Sequence, residues 1–234
     1  MDCKLYELQG REDKRPSPYC WRTRMALAHK GLAVEFIPVQ FGEKAKISFS
    51  GQKLVPVLSD NGRVISDSWA IACYLEDAYP DRPSLFGGES GRAGARFMNA
   101  WVDRAIHPKM IRIVLSDIYD RVIMAADQPY FRASREKRFG MALEEFCDTS
   151  EARIGAFRAA LEPARLALKQ EPYLAGSEPL YADYVLFGTC KFVDLCSSQV
   201  LIAEDDPIYE WYRRMLGLFD GLAGGDGAAQ GQTA

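Results

Sequence analysis

The sequence predicts an α/β domain followed by an all-α domain, and three observations carry that division. Before residue 80, short apolar runs of strand length alternate with two helical stretches. From Pro80 to Gly91 the chain is rich in Pro, Gly and Ser, the composition of a boundary. Beyond Arg92 everything reads as helix. The expected units are 1–80, a linker at 81–91, a helical domain at 92–220 and a tail at 221–234.

Lys4 to Leu8 alternates like a strand. Gly10 to Pro18 is a polar loop, and a helix follows to Lys30, where Gly31 supplies the usual C-terminal stop. Val34 to Val39 is a second strand. Phe41 to Gln52 has no clear period and is expected as a short helix or loop. Leu54 to Ser59 and Arg63 to Ile65 form a hairpin around Asp60-Asn61-Gly62, since Asn-Gly accepts the positive φ of tight turns. Asp67 to Tyr79 is a helix ended by Pro80. The order β-α-β, then β-β-α, gives a small mixed sheet with helices on its faces. In the second half, Arg92 to Asp120 repeats apolar residues near the helical period, and Thr149 to Lys169 is amphipathic. Tyr181 to Val200 is apolar on almost every side, as a central buried helix is. Pro207 to Phe219 is a last amphipathic helix. Gly221 to Ala234, rich in Gly, Ala and Gln, has too little apolar surface to order itself and is expected to be flexible.

The 234 residues are 48% hydrophobic, enough for sizeable cores. A formal net charge of −3 argues against nucleic acid as a partner, because phosphate binding needs clustered positive charge. Lys4, Glu7, Arg11 and Glu12 interrupt any amino-terminal apolar run, and no stretch is long enough to cross a bilayer, so a cytoplasmic location without a membrane partner is expected. The six cysteines show no CxxC pair and no metal-ligand spacing; small buried thiols in a reducing compartment are expected, and no metal.

Three motifs in fixed order carry chemistry. Ser17-Pro18-Tyr19-Cys20-Trp21-Arg22 puts a hydroxyl at a helix start, where unpaired N–H groups and the dipole favour an anion. Lys53-Leu54-Val55-Pro56-Val57-Leu58 is an extended segment whose proline removes a ladder donor and frees neighbouring backbone groups for a guest. Ile65-Ser66-Asp67-Ser68-Trp69 opens a helix with hydroxyl and carboxylate oxygens. Together they describe a pocket for a small peptide carrying a thiol.

On these motifs the chain resembles the cytosolic glutathione S-transferases from about Lys4 to Leu216. The first domain is then thioredoxin-like. Ser17 to Arg24, Ala26-Leu27-Ala28-His29-Lys30-Gly31 and Pro179 to Tyr184 are most similar to bacterial glutathione-dependent β-etherases and fungal etherase-like transferases. The resemblance implies glutathione as co-substrate and a homodimer.

Ser17 is then the activating residue. A thiol near pKa ~8.5 is mostly protonated at neutral pH, and only the thiolate attacks well. A hydroxyl hydrogen bond in the field of a helix N-terminus stabilises that anion, each pKa unit corresponding to ~1.4 kcal/mol. The bland alternative is that Ser17 only caps its helix. Cys20 stands where a redox pair has its second cysteine, but the attacking position is Ser17, so Cys20 is read as a packed thiol. By resemblance Pro56 is cis and Val55 pairs with the peptide backbone. Asp67 and Ser68 hold the γ-glutamyl end, with capping as the compatible alternative; family members more often carry Glu-Ser there. Gln52 and Lys53 are weaker candidates for the glycine carboxylate. Asp183 is read as structural, half of a capping box whose other half is missing at Leu180. His29 and His107 are read as solvated or satisfied by neighbours.

A hydrophobic aromatic second substrate is expected between the domains, against Tyr19, Phe41, Trp101, Ile111, Val114, Leu115 and Tyr119. The implied reaction is attack of the thiolate on an electrophilic carbon, as in cleavage of a β-aryl ether beside a ketone. General conjugation, dehalogenation and non-catalytic glutathione binding stand as alternatives.

Overall fold

The computed structural model describes residues 2–224. The first domain holds a four-stranded sheet in the order β2-β1-β3-β4. Its strands are β1 (Cys3–Leu8), β2 (Glu35–Val39), β3 (Val57–Asp60) and β4 (Arg63–Ser66). β1 runs parallel to β2, with Leu5 opposite Phe36, and antiparallel to β3, with Leu5 opposite Leu58. β3 and β4 form the hairpin. The parallel pair needs a crossover, which is α1 (Pro18–His29); α2 (Ser68–Ala78) follows β4. The arrangement is thioredoxin-like.

Alternation along β1 turns Cys3, Leu5 and Glu7 inward. A buried carboxylate needs a partner, and the fully buried Glu7 takes two hydrogen bonds from Arg24 of α1, at 2.6 and 2.5 Å. The Arg24 guanidinium also covers the rings of Trp21 and Phe36. This closes the sheet onto α1.

The helical domain comprises α3 (Glu89–Trp101), α4 (His107–Arg121), α5 (Gln128–Phe139), α6 (Leu143–Phe146), α7 (Glu151–Ala160), α8 (Glu162–Leu168), α9 (Tyr181–Cys196), α10 (Pro207–Leu216) and α11 (Leu218–Gly221). α9 is buried almost throughout and packs on α1. At Gly188 a β-carbon would lie 2.3 Å from the carbonyl oxygen of Pro18, so only glycine permits this approach. Trp21 meets Phe187 edge-on at 6.3 Å, and one apolar core runs through both domains.

Several boundaries differ from expectation. The single helix expected over 92–120 is two, joined by a π-turn at Val102–Ile106; Pro108, which has no N–H to donate, sits in the first turn of α4. α3 starts at Glu89, inside the expected linker, because Gly91 lets the chain fold onto Phe86: a β-carbon there would lie 1.8 Å from the Phe86 carbonyl oxygen. The stretch 149–169 breaks between α7 and α8, where Pro163 occupies the first turn. β3 begins only after Pro56, and α9 ends at Cys196 rather than Val200. Packing also continues past Gly221, since Ala223 is buried; residues 225–234 of the expected tail lie outside the described residues. Among the described residues no helix is long and apolar enough to cross a membrane.

Candidate active site

A cleft of about 550 Å³ opens where the start of α1, the β3–α2 edge and helices α4 and α5 converge. Ser17, Val55, Pro56, Asp67 and Ser68 line the sheet side. Ile111, Leu115, Phe131, Arg135 and Arg138 line the helical side.

Ser17 is the N-cap of α1: its Oγ accepts the Cys20 N–H at 3.2 Å, and Pro18 follows at the position where a missing N–H costs nothing. Capping uses a lone pair and leaves the hydroxyl proton for a guest. An anion placed there also meets the positive end of α1. Cys20 lies behind, buried, and burial foremost, then the charge of Glu7, pushes its thiol up to about 12. It stays protonated at neutral pH and is no nucleophile.

The Val55–Pro56 peptide is cis, and among the described residues neither N–H nor C=O of Val55 has a backbone partner. Asp67 sits at φ 78°, a region that non-glycine residues occupy sparsely. Its Oδ1 accepts the N–H groups of Trp69 and Ala70 at 2.9 and 3.0 Å, which caps α2 and leaves Oδ2 for a cation. Ser68 is buried, and its C=O accepts the Tyr181 hydroxyl at 2.9 Å, tying this turn to α9.

Between the two walls stands Tyr19. Its hydroxyl lies 3.2 Å from His107 Nδ1, while His107 Nε2 lies 2.9 Å from Thr189 Oγ1. Burial, then the charge of Arg22, pushes His107 down to about 4, so the imidazole is neutral at physiological pH. Arg22, fully buried, lies 4.7 Å from the Tyr19 ring centre and bonds Asp103 Oδ1 at 2.8 Å and Asn99 Oδ1 at 3.0 Å. Asp103 belongs to the π-turn, and His107 directly follows it.

A family model for the glutathione S-transferase C-terminal domain matches residues 93–210, and one for the N-terminal domain matches residues 13–83. The chain belongs to the glutathione S-transferase family. A probable glutathione S-transferase of Oryza sativa subsp. indica is 32% identical over 150 residues, which cover 59% of this chain and only 58% of the rice protein. A maleylpyruvate isomerase of Ralstonia sp is 30% identical over 173 residues, 70% of this chain and 73% of that protein. Among solved structures, a glutathione S-transferase of Ceriporiopsis subvermispora in complex with glutathione superposes with a TM-score of 0.81 at 25% identity, covering 94% of this chain and 97% of that one. A glutathione transferase of Phanerochaete chrysosporium gives 0.74 at 26% identity, covering 94% and 92%.

In this chain the sheet side gathers Ser17, Gln52, Val55, Pro56, Asp67 and Ser68. Lys53 is exposed and outside the lining. Of the expected second-substrate residues, Tyr19, Phe41, Ile111 and Leu115 line the cleft. Val114 does not; its side chain is buried in the helical core. Trp101 packs against that core just before the π-turn, and Tyr119 stands behind Phe131 at 6.3 Å, covered by Arg132. Sequence reasoning missed α5, which brings Phe131, Arg135 and Arg138, and it missed Lys44 and Asp103. The signal for α5 was the span from Gln128-Pro129 to Gly140, a proline start and a glycine stop. Asp183 does not line the cleft. It accepts N–H groups of Leu174, Ala175 and Leu180 at 2.7, 3.2 and 3.2 Å and the Trp211 indole at 2.9 Å. His29 lies between the Tyr184 hydroxyl and the Ser84 carbonyl.

Proposed function

We propose that the protein is a glutathione transferase in which Ser17 stabilises the bound thiolate and the helical wall presents an aromatic electrophile. The observation that carries this reading is the composition of one cleft. A hydroxyl at a helix N-terminus, an unpaired strand-like backbone at Val55 and the capped turn Asp67-Ser68 face apolar side chains of α4 and α5 across it. The tripeptide lies along Val55 as an added strand, its γ-glutamyl ammonium on Asp67 and its α-carboxylate at Ser68 and the start of α2. Its sulfur meets the Ser17 hydroxyl, which donates to the thiolate and attacks nothing itself. That glutathione occupies the Ceriporiopsis relative supports the assignment. In the narrower form of the reading, the thiolate sulfur bonds to the carbon beside an aryl ketone while the carbon–oxygen bond breaks. The phenolate leaves with the electron pair and takes a proton from water. The reading includes a cytoplasmic homodimer.

Ser17→Ala tests the assignment. With glutathione saturating near neutral pH, turnover falls about tenfold or more, since removing one donor to an anion costs roughly 2.7–4 kcal/mol and water replaces part of it. The ultraviolet absorbance of the bound thiolate then titrates at higher pH in the variant; an unmoved titration removes Ser17 from this role. β-Aryl ether ketones assayed beside halogenated aromatics, with and without glutathione, decide the leaving group.

A further inference from the structure

Among the described residues the cations facing the cleft make no ion pair, whereas their neighbours are paired. Lys46 bonds Glu43, and Arg132 bonds both Glu136 and Glu144. Lys44, Arg135 and Arg138 line the cleft, and among the described residues none of the three has a carboxylate partner. Of the carboxylates that line the same cleft, Asp103 is paired with Arg22, and Asp67 caps α2 with Oδ1 and keeps Oδ2 for the γ-glutamyl ammonium of the reading above.

Two aromatic rings hold this wall together. The Arg135 guanidinium lies 4.7 Å from the centre of Phe131 and 5.8 Å from that of Phe41, and the Lys44 ammonium lies 5.8 Å from Phe41. Arg135 Nη1 donates to Ser134 Oγ at 3.0 Å, which leaves the other edge of the fork free. The charges oppose one another: burial foremost, then Arg135, lowers the proton affinity of Lys44, against a smaller pull from Asp127. Burial and then Arg138 do the same to Arg135, against Tyr130. Arg138 also acts on the Tyr19 hydroxyl, so its charge reaches the centre of the cleft. A concave, partly dry wall carrying like charges concentrates an anion, and a guanidinium fork fits a carboxylate in two-point contact.

We infer that Arg135 and Arg138 form an anion subsite for the second substrate, which is an aromatic carboxylic acid whose ring packs on Phe41 and Phe131. This rests on the transferase reading above and narrows its substrate class from aromatic electrophiles in general to those bearing an acid group. In the reaction chosen to probe the subsite, the glutathione sulfur bonds to the chlorine-bearing ring carbon, and chloride leaves with the bonding pair.

The test uses the full chain, saturating glutathione and two matched electrophiles, chlorodinitrobenzene and chlorodinitrobenzoate with the carboxylate opposite the chlorine. The readout is the ratio of kcat/KM for the acid to that for the neutral compound. Arg138→Gln, at an exposed position, and Arg135→Gln are each expected to lower that ratio about tenfold or more, the scale of a charge-assisted hydrogen bond. A ratio unchanged within about twofold in both variants, or a wild type that prefers the neutral compound, overturns the subsite. Calorimetric titration of the glutathione-loaded protein with dinitrobenzoate and with dinitrobenzene, neither of which has a leaving chlorine, separates the two levels. If the wild type turns over neither these electrophiles nor the β-aryl ether ketones, the transferase reading fails. A preference for binding the acid that the variants lose still upholds the subsite, and equal binding of both overturns it.

Discussion

The Tyr19 hydroxyl and His107 Nδ1 lie 3.2 Å apart, so a polar group of the cleft is held by an imidazole that has left water. Its other nitrogen is engaged by Thr189, and a proton added to the ring would lie near the buried charge of Arg22, against a smaller pull from Asp103, whose Oδ1 is 3.5 Å from Nδ1. The pair is neutral by construction, and that has a consequence for acid stability.

The folded protein holds His107 near pKa 4, below the ordinary 6.5, chiefly through burial. Between those values the unfolded chain binds the proton and the folded chain refuses it, so stability rises with pH. The contribution is fully present above about pH 6.5 and is lost as pH falls towards 4, on the order of 3 kcal/mol in all. Urea unfolding across this range checks it. In His107→Gln the fall should be shallower than in the wild type by that amount; parallel curves would show that the ring is protonated in the folded state.

Asp103 anchors the π-turn to α1 through the fully buried Arg22, and Asn99 Nδ2 donates to its other oxygen at 3.0 Å. Asp103→Ala leaves the guanidinium with Asn99 alone. Removing one partner of a buried pair costs roughly 3–5 kcal/mol, because the surviving charge stays desolvated. Asp103→Asn keeps a hydrogen-bond acceptor and should lose less. Chemical denaturation of both variants checks the order, and a loss below about 1 kcal/mol in Asp103→Ala would mean that water reaches Arg22.

Asp183 has a purely architectural part. Four donors converge on its buried carboxylate, and these bonds oppose the burial that raises its pKa. Asp183→Ala strands the Trp211 indole and three backbone N–H groups at once, so a loss of about 3 kcal/mol or more is expected. Because none of the four lies in the cleft, the folded fraction should bind glutathione with wild-type affinity, measured by calorimetry.

How much of this was legible depended on whether local sequence decided the outcome. Ser17-Pro18 and Asp67-Ser68 are helix starts, set by the residues that cap them, and both fall where the sequence places them. Gly31 and the Asn61-Gly62 turn likewise carry their own backbone requirement. The break after Trp101 was hidden because its apolar period continues across the π-turn; Pro108 was the visible warning. Periodicity also could not divide one apolar helix between core and cleft. Val114 and Leu115 are neighbours of equal hydropathy, yet Val114 faces the core alone while Leu115 borders the cleft. The basic wall was illegible for a different reason. Arg132, Arg135 and Arg138 look alike in sequence; the Arg132–Glu136 pair is a local i,i+4 contact, but only tertiary packing adds Glu144 to it and turns the others to the cleft.

Asp67 has two duties that substitution separates. Its Oδ1 caps α2, while the free Oδ2 is the proposed partner of the γ-glutamyl ammonium. Asp67→Asn retains an oxygen for the cap and removes only the charge. It should leave the melting temperature close to wild type while weakening glutathione binding several-fold to about tenfold, the exposed position holding the effect to the lower part of the charged-bond range. Asp67→Ala removes the cap as well, at about 1–2 kcal/mol, and places a β-carbon at φ 78° with no side-chain bond to hold it there. It should therefore lose both affinity and stability. Since the ammonium lies far from the sulfur, the contact is equal in ground and transition states, so turnover at saturating glutathione should change little in either variant. Full affinity in Asp67→Asn, measured by calorimetry, would leave Asp67 as a cap alone and move the ammonium to another partner.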